Sequence, residues 1–174
     1  MQICSALLPI AVIGATAIVS RAVQGHVIAC SREGAVLALN HLADWAKWMT
    51  GLETAAFGAL TLLVFGTDGT PGHSLTELQT ALGWLAFVLL ATALIVSGWV
   101  LAAFPSLAIR LHKNPFLAGP QSEFDVLEQP IFGKRSPRLG FMVTWHHWLW
   151  GLGLLSLGAF ALSLLSGRCP VSTP

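Results

Sequence analysis

From Thr80 to Phe104 the chain runs 25 residues without a charged side chain, and a stretch of that length has few places to go. A helix needs about 20 mostly apolar residues to cross the hydrocarbon core of a bilayer. Three more runs reach that size: Ile3 to Ser20, stopped by Arg21; Trp48 to Phe65, interrupted only by Glu53; and Phe141 to Ser166, ending before Arg168. The expected fold is all-α, an integral membrane bundle of four transmembrane helices near 3–20, 48–65, 80–104 and 141–166, a single membrane domain over residues 1–174. Composition agrees, because 55% hydrophobic and 10% charged residues lie outside the range of water-soluble domains.

The segments between the runs have their own signals. Met1, Gln2 and Ile3 carry no positive charge, so the first run is expected to be a retained helix and not a cleaved signal peptide. Glu33 to Met49 sets Val36, Leu37, Leu39, Leu42, Trp45, Trp48 and Met49 at helical spacings, with Asn40, His41, Asp44 and Lys47 opposite or beside them. That pattern predicts an amphipathic interfacial helix over about 33–49, running on into the second span. Gly66 to Gly72 has the composition of a turn-rich loop. Pro105 is expected to kink or stop the third helix. Residues 105–140 contain five prolines and little periodicity, which predicts an extended cytoplasmic loop with one short helix near Ser122 to Glu128.

Basic residues are retained on the cytoplasmic side of membrane helices. Arg21, Arg32 and Lys47 follow the first run, and Arg110, Lys113, Lys134, Arg135 and Arg138 follow the third; of the nine Lys and Arg, only Arg168 falls on the other side. Both termini are therefore expected outside the cytoplasm, in a bacterial cytoplasmic (inner) membrane. A net charge of +1 excludes a polybasic nucleic-acid binder, which must replace many phosphate counterions.

This topology gathers His41, Asp44, Glu53, His146 and His147 at the cytoplasmic side. An acid within a span is costly and marks either a function or a paired, snorkelled carboxylate. His146 and His147 point about 100° apart on a helix, so at most one faces a given ligand. Their Trp145, Trp148 and Trp150 neighbours read first as an interfacial aromatic belt. The functional alternative makes His41, Glu53, His146 and His147 cofactor-binding residues: one boundary histidine with His41 on a b-type haem, or with Glu53 and Asp44 around a quinone headgroup or metal.

Cys4 and Cys169 share the extracytoplasmic side, where a disulfide is chemically permitted. Cys30 lies inside and is expected reduced. Small residues at Gly51-xxx-Ala55-xxx-Ala59, at Ala11-xxx-Ala15, and at Gly151 and Gly158 read as helix-packing faces within the bundle.

No Walker sequence, nucleophile elbow or HExxH motif occurs, so no catalytic activity of the chain's own is expected. The leading expectation is an accessory or structural subunit that meets other membrane protein subunits in a larger complex, of the energy-converting (respiratory or photosynthetic) kind. The competing one is a small membrane redox protein binding b-type haem or quinone. A transporter or channel component ranks third, because three of the runs hold no charged residue that could bind a substrate.

Overall fold

A computed structural model describes residues 2–29, 31–65, 75–113 and 124–166. It contains four helices, α1 (Gln2–Ala22), α2 (Arg32–Phe65), α3 (Glu77–Lys113) and α4 (Leu139–Ser166), with two short strands, β1 (Ile28–Ala29) and β2 (Phe124–Asp125). Helices α3 and α4 are long and apolar enough to cross a membrane, and Leu7–Ala22 of α1 is a shorter apolar segment. Large apolar side chains face outward on all four helices, among them Ile18, Leu62, Ile95 and Leu155, while Glu53, Ser97 and His146 are buried inside.

The interior is built from seven-residue repeats. On α4 the buried positions include Leu139, Met142, His146, Leu149, Gly153, Ser156 and Phe160, alternating steps of three and four residues. That spacing keeps one seam turned toward a partner helix, with side chains set into the gaps of the facing helix. On α2 Ala35, Leu39, Ala46, Met49, Glu53 and Leu60 follow in steps of four, three or a full seven. Helix α3 is buried more broadly, because it packs against both α2 and α4 and also touches α1.

Close approach of α3 and α4 depends on Gly153. A Cβ there would lie 2.9 Å from Leu90 Cδ2, 3.0 Å from its Cγ and 3.4 Å from Leu89 Cβ. Both leucines are fully buried and have nowhere to retreat. Gly153→Val is expected to cost about 1–3 kcal/mol through overpacking, read as an earlier midpoint when the micelle-bound protein is unfolded with SDS. An unchanged midpoint would mean that the two helices separate freely at this level.

The segments expected as an interfacial helix and a second span are one unbroken helix, α2. Its buried stripe continues from residue 35 to residue 60, so the first half packs on protein, and Val36, Leu37 and Trp48 from the expected apolar face are exposed. Ser31 starts this helix by accepting the Gly34 N–H at 3.0 Å, a side-chain N-cap. At the start of α3, Thr76 and Gln79 exchange side-chain and backbone bonds of 2.9 and 3.3 Å, a reciprocal capping box.

The expected stop at Pro105 does not occur, and α3 runs through it to Lys113. A mid-helix proline removes one backbone bond and crowds the carbonyl four residues back, at a cost of about 3 kcal/mol. Burial of Phe104, Leu107 and Leu111 against the core offsets it. Of the loop expected over 105–140, residues 105–113 thus belong to α3, and the described residues 124–138 form a strand and turns. In place of the short helix near Ser122 to Glu128, whose first two residues lie outside the described ones, there is β2 followed by a turn.

That segment is fastened to the α1–α2 connection. Strands β1 and β2 pair antiparallel, Ile28 opposite Asp125 and Ala29 opposite Phe124, and Val126 N–H donates to Val27 O at 3.0 Å. The Asp125 carboxylate accepts the Val27 and Leu127 N–H groups at 3.2 and 2.9 Å and meets His26 Nδ1 at 2.6 Å. Burial alone would push the Asp125 carboxyl up, but His26 and the surrounding backbone N–H groups outweigh it and hold it below the ordinary value of 3.8. The turn-rich loop expected over Gly66 to Gly72 lies outside the described residues.

Candidate functional site

Glu53 occupies one step of the α2 stripe and His146 one step of the α4 stripe, so the packing that joins the helices also brings these side chains face to face. Glu53 Oε1 and His146 Nε2 are hydrogen-bonded, with the residues 0% and 1% exposed. The second carboxylate oxygen and the second ring nitrogen are buried as well, with no hydrogen-bond partner among the described residues. The bond gives each group a polar partner in an apolar interior, where an isolated ion is strongly disfavoured.

Aromatic rings close the pair on one flank. Trp45 of α2 meets His146 edge to face, with centroids 5.4 Å apart, and stacks on His147 at 4.7 Å. Hydroxyls add a polar layer at a similar depth in the bundle. Thr50, one turn before Glu53, bonds Ser97 of α3 at 2.7 Å while donating to Ala46 O. Trp145 Nε1–H donates to Thr16 of α1 at 2.9 Å, and Ser20 donates to the Thr16 carbonyl at 2.6 Å. All four helices thus contribute polar side chains near the pair, and the Thr50–Ser97 and Trp145–Thr16 bonds tie helix to helix.

Of the residues singled out from the sequence, the fold brings together Glu53 and His146. His147 is exposed and turned away, its Nδ1 bonded to Val143 O at 2.9 Å. His41 is exposed on α2, twelve residues or about 18 Å of helix rise before Glu53. Asp44 pairs with Lys47 at 3.0 Å on the surface. The Cys4 side chain and Cys169 lie outside the described residues, and with them the disulfide that the sequence permits. The tryptophans divide: Trp148 is exposed, whereas Trp145 and Trp150 are half-buried, so only part of the segment faces outward as a belt residue should.

The small-residue stripes lie on the outside. Gly51, Ala55 and Ala59 of α2 are exposed, as are Ala11 and Ala15 of α1, and a Cβ added at Gly51, Gly58, Gly151 or Gly158 would meet nothing. The glycines that internal packing requires are others, Gly153 above all. The choice of His146 over His147 was missed from sequence, although the four-three spacing through Gly153, Ser156 and Phe160 carries it. Compared with protein-family profiles, curated proteins and solved structures, the chain matches none.

Proposed function

We propose that the chain is an accessory or structural subunit of a larger membrane complex. In this reading it crosses the bilayer four times, with both termini extracytoplasmic and the two basic connections in the cytoplasm. The observation that carries it is the outward face of α2, where Gly51, Ala55, Gly58 and Ala59 are exposed with open space above the glycines. In lipid, small residues in such a row let a second helix approach closely. A row spent on the molecule's own packing would face inward.

The buried pair supports the same reading. Glu53 and His146 are engaged with each other and closed from solvent, an arrangement suited to locking α2 onto α4. A redox role draws on the unpartnered Glu53 Oε2 and His146 Nδ1, which a quinone headgroup could meet; a haem iron would have to compete with Glu53 for Nε2 or take Nδ1.

Purification from the native membrane in mild detergent tests both readings. The expected result is a stoichiometric partner chain and no visible chromophore. Ala55→Leu should reduce the partner's recovery at least tenfold while leaving the chain folded, since Ala55 is exposed on α2. A lone chain carrying a haem spectrum or extractable quinone would overturn the proposal.

A further inference from the structure

Outside the helical core, three metal-ligating side chains from two distant segments converge. His26 follows α1, while Asp125 and Glu128 lie on and after β2, and one ligand atom from each falls within 4.8 Å of the other two. Strand pairing creates the juxtaposition, because the β1–β2 register sets Asp125 opposite Ile28. The Asp125 carboxylate is held on one side by the Val27 and Leu127 N–H groups, leaving Oδ2 turned to His26 Nδ1 at 2.6 Å. One Glu128 oxygen is held by Arg138 at 2.7 Å. Each carboxylate therefore has an outer partner that orients it, the arrangement metal-binding carboxylates use.

We propose that His26, Asp125 and Glu128 bind one divalent first-row transition-metal ion, of the class zinc represents, and that the ion clips the α1–α2 connection to the α3–α4 connection. One imidazole and two carboxylates suit such an ion, with water completing the shell. Ligand atoms around tetrahedral zinc stand about 3.4 Å apart at bond lengths of about 2.1 Å. From the present positions the exposed His26 ring swings slightly away from Asp125, whose Oδ2 now lies 2.6 Å from Nδ1, to admit the ion between them, while Glu128, within 4.8 Å of both, closes in and Asp125 stays fixed. On binding, His26 turns its Nδ1 lone pair to the metal and carries its proton on Nε2. The ion's two positive charges balance the two carboxylates, and Arg138 stays outside as the partner of Glu128. This site is independent of the α2 face and of any partner subunit.

The test uses the full chain in detergent, purified without a polyhistidine tag, stripped with a chelator and titrated calorimetrically with Zn²⁺ alone. One equivalent should bind, and His26→Ala and Asp125→Asn should each weaken it at least about tenfold. Cys30→Ser and His41→Ala should leave the affinity unchanged. X-ray absorption of the zinc-loaded wild type gives a measure that needs no variant, with a shell of nitrogen and oxygen expected. Absence of binding, affinity indifferent to both ligand variants, or sulfur in the shell would each overturn the assignment.

Discussion

His146→Ala will lower the stability of the bundle by about 3–5 kcal/mol, while the double replacement Glu53→Met with His146→Phe will recover most of the loss. The single change leaves Glu53 as an uncompensated acid in a site where it is 0% exposed, with no solvent within reach. The double change removes both polar groups and fills the space with apolar side chains of similar shape, so the desolvation cost disappears along with the bond. Unfolding midpoints in mixed micelles supply the comparison. If the double variant is as damaged as the single one, the pair contributes more than mutual neutralisation, and the redox reading gains ground. A single variant of unchanged stability would contradict the pairing itself.

The second large effect belongs to Phe160→Ala, for which about 3–5 kcal/mol is expected from lost burial and the cavity left behind. Phe160 is fully buried in a cluster with Leu60 and Ala86, and its ring lies 3.6 to 3.8 Å from where a Cβ on Gly83 would sit. It also walls an apolar cleft of about 240 Å³, so truncation enlarges a space that already exists and the site has little to collapse onto. Leu162→Ala, at a position 68% exposed, should stay within about 0.5 kcal/mol of the parent. The contrast between two apolar residues a half-turn apart reads the seam directly; equal effects would place it elsewhere.

Much of this architecture is legible in the sequence. The uncharged run from Thr80 forms α3, Phe141 to Ser166 lies within α4, and the helical spacing of 33–49 marks the first half of α2. Pro105 misled because its local penalty is visible in the sequence, whereas the burial of Leu107 and Leu111 that outweighs it comes from a strand segment and helices far along the chain. The inner faces of the helices were hidden for a different reason. On α4, Leu149 points inward and Leu155 outward, so hydrophobicity does not separate the two sides, and the seam shows only in the spacing of His146, Gly153 and Ser156. Glu53 stood out as an acid in an apolar run, but its choice between adjacent histidines rests on an angle of about 100° that only the packed helices resolve. The meeting of His26 with Asp125 required a strand pair two residues long, which leaves no periodic trace.

The passage of α3 through Pro105 has a mechanical side. At about 1.5 Å per residue its 37 residues rise about 55 Å, nearly twice the roughly 30 Å thickness of the hydrocarbon core. Toward its C-terminal end, Arg110 donates to Ile131 O at 2.8 Å, and Leu107 and Leu111 share a buried cluster with Val126 and Ile131. The segment after β2 is thus riveted to a post, not tethered by a string. A tilt of roughly 10°, small beside the spread of tilts membrane helices adopt, sweeps the tip of such a post by several ångströms and carries the attached segment with it.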